Sequence, residues 1–268
     1  MQLWIKLLSI IKKIKNFFNF FLEILYPHRC ISCKKIILDG YFCLDCWKKL
    51  KFISEPCCKI CGKPFYNSKH YGLVCSGCLH SKHYYNKSLS VFVYNKTMAK
   101  TIFNFKFYKR IFLSKIFARF LLIKYKEINK NNIKNNIDIK TNNNIINYVI
   151  PVPSHIKKLR QRGYNHSLLI VKDFSKLTNI PYIQDLLIKQ KNTVRQVELS
   201  LKKRKVNLKQ AFRLNEKHSN KIIGKNILII DDVFTTGTTV NECAKILKKN
   251  KVNKVFVLTL ARGGIKNG

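Results

Sequence analysis

The chain has 268 residues, of which 46% are hydrophobic and 12% aromatic. That is enough to fill the core of one medium domain plus a small accessory module, and it excludes wholesale disorder. Charge is the outlier, since 52 Lys+Arg against 13 Asp+Glu give a formal net charge of +39, which points to a polyanionic partner such as nucleic acid or an anionic membrane face.

Lys, Asn and Ile also recur along the whole chain, as an AT-rich coding sequence would give, so the excess is equally compatible with compositional drift. Weak, salt-sensitive polyanion binding is expected on both readings. In residues 1–27, Trp4, Leu7, Leu8, Ile11, Ile14, Phe18, Phe21, Leu22 and Leu25 recur at helical spacing, interrupted by Lys6, Lys12, Lys13 and Lys15. This predicts a basic amphipathic helix, lying on a membrane surface or, the preferred reading, packed on the protein's own body. No run of 18 apolar residues predicts a membrane span, and no small-residue cleavage site marks a signal peptide. The expected location is cytoplasmic, at most peripheral at the inner membrane face.

Residues 28–82 hold nine of the ten cysteines, arranged as four C-x2-C pairs: Cys30/Cys33, Cys43/Cys46, Cys58/Cys61 and Cys75/Cys78. Two thiolates three positions apart on a tight turn both reach one ion, and a second such pair completes a tetrahedron around zinc. Gly62 and Gly77 supply the backbone freedom such turns need. Sequential pairing makes two ribbons, one from the first two pairs and one from the last two; interleaved pairing fits the spacing as well. Cys57, beside Cys58, is a rival for its place, although only Cys58 has the right gap to Cys61. All-thiolate sites leave no open coordination position, so two structural zinc ions are expected. A module this small needs their binding free energy to fold. Cys243 stands alone in a helical pattern and reads as a small buried hydrophobe.

Residues 83–268 alternate strand and helix. Strands are predicted at 88–94, 145–150, 226–231 and 254–260, and helices at 98–107, 112–125, 167–177 and 240–250. An Asn/Lys-rich loop at 127–147 and a basic loop at 189–209 interrupt them. The alternation indicates an α/β domain with a mostly parallel sheet flanked by helices. Tyr84, Tyr85, Phe103, Phe105 and Phe107 stand near lysines, where they would either stack nucleobases or, the commoner case, fill the core.

The most informative stretch runs from Ile227 to Thr239. An apolar run reads as a buried central strand, and Asp231 and Asp232 stand at its carboxyl end, where open α/β sheets bind ligands. Thr235, Thr236, Gly237, Thr238 and Thr239 then form a turn opening directly into a helix, which offers backbone N–H groups and hydroxyls to a phosphate. Adjacent carboxylates suit the vicinal hydroxyls of a ribose. Together these parts describe a sugar-phosphate site, and no Gly-Lys-Ser/Thr follows to make it a Walker loop.

This stretch resembles the phosphoribosyl pyrophosphate (PRPP) motif of type I phosphoribosyltransferases, and residues 25–262 resemble the ComF family, competence-associated relatives of amidophosphoribosyltransferase. The resemblance is carried further by the four C-x2-C pairs, by residues 94–106, and by Pro151-Val152-Pro153 with Arg160, Arg162, Gly163, Tyr164 and Asn165. Downstream it takes in Thr193, Gln196, Leu199, Ser200, Arg204, Asn207, Ala211, Phe212 and the closing Leu260-Ala261-Arg262. His166 departs from the family's usual Gln, and Lys189 from its frequent Arg. The resemblance implies a type I phosphoribosyltransferase fold behind an N-terminal double zinc ribbon. It implies that Asp231 and Asp232 hold the ribose hydroxyls and, indirectly, Mg2+, and that the threonine loop wraps the 5-phosphate. Pro151, Val152, Pro153 and Ser154, with Arg160 and Arg162, would face the pyrophosphate. The stretch containing Thr193, Gln196 and Arg204 would be a flexible loop closing over the substrate. The implied partners are PRPP or a similar ribose phosphate, single-stranded DNA and the proteins of DNA uptake in natural transformation.

Overall fold

The computed structural model describes residues 4, 27–65, 72–133, 146–190 and 211–264. Apart from Trp4, the expected N-terminal helix lies outside the described residues, and so do most of the Asn/Lys-rich loop and the loop containing Thr193, Gln196 and Arg204. The chain divides into two compact units, Met1–Leu50 and Lys51–Gly268. Among the described residues, no helix is long and apolar enough to cross a membrane.

In the first unit, the turn after Cys30 closes through Lys34 N–H to Cys30 O (2.9 Å), and Cys43 caps a short helix α1 (Leu44–Lys48). The second unit opens with the second pair of knuckles, the latter capped by Cys75 at the start of α2 (Ser76–Leu79). It continues through β1 (Lys87–Val93), α3 (Lys96–Phe107), α4 (Leu113–Ile133), β2 (Tyr148–Pro151), α5 (Ile156–Arg162) and α6 (His166–Thr178). Then come β3 (Leu187–Lys189), β4 (Phe212–Leu214), α7 (Ser219–Ile222), β5 (Asn226–Phe234), α8 (Thr238–Lys249) and β6 (Lys254–Arg262). Four strands form one sheet in the order β1-β6-β5-β2, and every neighbouring pair is parallel. β3 and β4 form a separate antiparallel pair.

β5 is central because its run Ile227–Ile230 is apolar on both faces, and all four side chains are buried. Alternation along the strand sends Ile227 and Ile229 to one side, where they join Val255 and Val257 of β6 and Val240, Cys243, Ala244 and Leu247 of α8. Leu228, Ile230 and Asp232 take the opposite face. α4 packs on α6, and these helices also pack on the sheet strands, α4 on β1 and β6, α6 on β2 and β5. Cross-strand neighbours Ser90 and Thr259 satisfy each other in the core through a 2.6 Å hydroxyl hydrogen bond.

Several boundaries differ from the sequence reading for local reasons. β5 runs past the aspartates to Phe234, because ladder pairing with β6 holds Asp231, Val233 and Phe234 despite their mixed polarity. α4 extends past Tyr125 to Ile133. The stretch after Pro153 holds a helix, α5, capped by His155, whose Nδ1 accepts from Lys157 N–H (3.2 Å). The aromatics divide: Tyr85 and Phe105 are in the core, whereas Phe103 and Phe107 are 50% and 40% exposed.

Candidate metal centres and ligand site

The cysteines form two groups in sequential pairing: Cys30, Cys33, Cys43 and Cys46 in the first unit, and Cys58, Cys61, Cys75 and Cys78 in the second. In each, the sulfur atoms all lie within 4.8 Å of one another; Cys33–Cys43 are 3.6 Å apart and Cys61–Cys75 3.7 Å. A tetrahedral zinc about 2.3 Å from each thiolate needs sulfurs about 3.8 Å apart, so both groups fit the ion. Cys58, not Cys57, joins the second group: Cys75 N–H donates to Cys58 Sγ (3.3 Å), while the Cys57 thiol donates to Ser54 O (3.0 Å). The zinc is structural, four thiolates in each group filling its coordination. The second group is built against the sheet. Ser88 N–H donates to Ile60 O at 2.7 Å, and a Cβ on Gly62 would stand 2.4 Å from Ser88 O, so only glycine fits that approach. Elemental analysis of purified protein is expected to find about two zinc ions per chain; cysteines oxidised to disulfides with no metal would refute the assignment.

The second site lies at the carboxyl ends of β2 and β5. Asp232 is 4% exposed and forms an ion pair with Lys106 of α3. His166 Nε2, at the start of α6, lies 3.3 Å from Asp232 Oδ1. Burial pushes the Asp232 carboxyl up, but the Lys106 cation and the His166 contact overcome it and hold the group well below the usual carboxylate range. Burial and the Lys106 charge hold the His166 imidazole down, outweighing Asp232, so it is neutral. Asp231 accepts from Ser167 Oγ (3.0 Å). Burial, and after it the Asp232 charge, raise its carboxyl to about 7. Lys189 of β3 lies over the Phe212 ring at 5.3 Å, and burial lowers its amine to about 8.

The threonine loop caps α8. Gly237 has φ +76°, and a Cβ there would fall 2.4 Å from Phe234 Cζ. Thr236 and Thr238 share a 2.7 Å hydroxyl hydrogen bond across it. Pro151 ends β2 beside β5, and Val152 follows it with its N–H donating to Ile230 O (3.0 Å). Ser154 Oγ donates to Asn165 Oδ1 (3.3 Å), and Asn165 caps α6 by accepting from Ser167 N–H (3.1 Å). The structure thus draws Asp231, Asp232 and the loop from Pro151 to Ser154 to one end of the sheet, with the threonine loop directly following β5. The arginines separate: Arg162 lies over the Phe107 ring at 4.7 Å and depresses the His166 imidazole by its charge, whereas Arg160 is exposed. The sequence reading does not single out Lys106 or Ser167 as site residues and notes His166 only as a departure from the family's usual Gln. Only the departure at position 166 signalled anything there.

The double zinc ribbon domain family matches residues 21–79 and the phosphoribosyl transferase domain family residues 182–267. Competence protein F of Haemophilus influenzae is 30% identical over 250 residues, which cover 92% of this chain and 99% of that protein. DNA utilization protein YhgH of Escherichia coli (strain K12) is 34% identical over 114 residues, 42% of this chain and 48% of that protein. Competence protein ComFC of Bacillus subtilis is 29% identical over 115 residues, 42% of this chain and 44% of that protein. The parallel sheet with its flanking helices is the type I phosphoribosyltransferase fold, preceded by a double zinc ribbon. With the whole of competence protein F aligned to nearly all of its length, the chain belongs to the ComF family.

Proposed function

We propose that the chain binds PRPP or a related ribose phosphate with Mg2+ at the carboxyl end of β5, and that this site serves DNA uptake in natural transformation. The observation that carries this reading is the succession of two carboxylates and a threonine-glycine turn capping α8, with Gly237 in the left-handed region. The turn presents backbone N–H groups and hydroxyls to a 5-phosphate at a helix N-terminus. Asp231 and Asp232 accept from the ribose hydroxyls. Residues 151–154, with Arg162, face the pyrophosphate. The names carried by the relatives, competence and DNA utilization, support the wider role.

The donor set suits Mg2+ held mainly by the ligand. His166, Asp231 and Asp232 place their ligand atoms within 4.8 Å of one another, but Lys106 and His166 already engage Asp232. Asp231 is the carboxylate left to face a hard cation, which prefers oxygen donors and keeps several waters. When bound, the ion neutralises charge on the leaving pyrophosphate. In group transfer, an acceptor's nitrogen lone pair bonds to the anomeric carbon while the bond from that carbon to the pyrophosphate oxygen breaks, its electrons leaving with pyrophosphate. The protein's part is orientation and electrostatic stabilisation, and the neutral His166 imidazole fixes the Asp232 carboxylate that positions the sugar.

Calorimetry with PRPP and Mg2+ tests the site. The wild-type chain is expected to bind, and the Asp231→Asn/Asp232→Asn variant to lose at least 100-fold in affinity. Equal heats from the two proteins would place the ligand elsewhere.

A second reading rests on the exposed aromatics. Phe103, Phe107 and Tyr108 are 50%, 40% and 56% exposed, with Phe103–Phe107 centroids 4.7 Å apart and Arg162 over Phe107. Flat rings interleaved with cations suit single-stranded DNA, with the pocket retained to sense a nucleotide.

A further inference from the structure

Arg262 ends β6, is 6% exposed, and among the described residues has no carboxylate within ion-pair distance. Its guanidinium donates instead to Cys61, to the carbonyl oxygen and, at 3.1 Å, to Sγ. A zinc ion with four thiolates carries a net charge of about −2. An isolated buried arginine is costly, and so is an isolated buried anion; each offsets the other here. The first centre, with its exposed Cys33, has water to do this work.

The other face of the same guanidinium covers the Phe234 ring, 4.5 Å from its centroid. Tyr85 meets that ring edge-on at 6.2 Å, and Phe234 Cζ occupies the space a side chain at Gly237 would need. Gly263 N–H fastens the strand end to Phe234 O (2.9 Å). One buried cation therefore touches a zinc ligand on one side and the floor of the threonine loop on the other.

We propose that Arg262 is a positioning residue that joins the second zinc centre to the threonine loop, balancing the charge of the Cys58/Cys61/Cys75/Cys78 centre while holding Phe234 beneath Gly237. Metal in the ribbon then orders a loop it never touches. The consequence for ligand affinity rests on the ribose-phosphate reading; the ordering of the loop does not.

The test combines chelator-driven zinc release with amide hydrogen exchange at residues 235–239 in the full chain, followed by calorimetry with PRPP and Mg2+. In Arg262→Met, one zinc is expected to leave about 10–100-fold faster and the other at the wild-type rate, as for lost outer-shell partners generally. Exchange at 235–239 should accelerate at least tenfold, and PRPP affinity should fall. Arg262→Lys keeps the charge but not the planar stack, so it should restore zinc retention while the loop still exchanges fast. A merely structural arginine would not separate the two readouts in this way. Wild-type release of both ions from Arg262→Met would overturn the proposal, and so would fast zinc loss with unchanged loop exchange. A wild-type chain that gives no heat with PRPP sinks the ligand reading alone, because release and exchange decide the rest.

Discussion

Replacing Cys61 with serine is expected to abolish the cooperative folding of the whole 51–268 unit, whereas Cys33→Ser should cost only the first zinc ion. The asymmetry follows from where the two centres sit. Cys58, Cys61 and Cys78 are buried in the same apolar cluster as Ile229 of β5, Val257 of β6 and Val240 of α8. Their loss therefore opens the domain core, not a peripheral knuckle. Zinc in a structural site contributes on the order of 10 kcal/mol, against a whole-domain stability of about 5–15 kcal/mol. Without the ion, buried thiols and Arg262 also lose their compensation. The first centre belongs to the separate unit Met1–Leu50. Thermal unfolding followed by circular dichroism, with zinc analysis, checks this. Cys61→Ser should show no cooperative transition, and Cys33→Ser should retain one zinc ion and melt within a few degrees of the parent. Equal melting of the two variants would mean that the second ribbon is not part of the core.

The features that sequence reading recovers are those encoded within a few residues. C-x2-C spacing is local chemistry, and the apolar run Ile227–Ile230 followed by Asp231, Asp232 and the threonine turn reads as strand, carboxylates and helix start in one pass. Features set by tertiary contact are not written that way. Lys106 is one cation in a chain with 52 Lys+Arg, and its ion pair with Asp232 spans from α3 to β5. His166 becomes buried only because α6 begins against that strand end. The pairing of the cysteines is undecided by spacing and is settled by which sulfurs meet. α5 is hidden because Ile156–Arg162 buries no residue and so leaves no apolar period to read. β3 and β4 are three residues each, too short for alternation to register, and pair across the intervening loop sequence.

Lys106→Met is expected to destabilise the 51–268 unit by about 3–5 kcal/mol, the usual cost of removing one partner of a buried ion pair. Its effect should depend on pH. In the native chain the cation holds the Asp232 carboxyl well below its ordinary value, so the pair contributes stability above the unfolded carboxyl pKa, near 4, and loses it as pH falls further. The variant lacks that contribution, so the gap between it and the parent should be widest near neutral pH and shrink as pH drops below about 4. Burial, the largest of the causes that hold the His166 imidazole down, remains in the variant, although the Lys106 charge that adds to it is gone. Asp231 stands beside Asp232, so without Lys106 the buried Asp232 carboxylate would keep a carboxyl neighbour and lose its cation. Removing the second charge tests this directly: Lys106→Met/Asp232→Asn should recover most of the lost stability at pH 7, since a neutral pair has no orphaned ion. Denaturant melts of the four proteins at pH 7 and about pH 3 complete the cycle. If the double variant is no more stable than Lys106→Met, the lysine acts through its alkyl chain packing and not through its charge. Recovery of stability without recovery of ribose-phosphate binding is the expected combination, because the Asp232→Asn change keeps the shape of the side chain and loses the anion that accepts from the sugar.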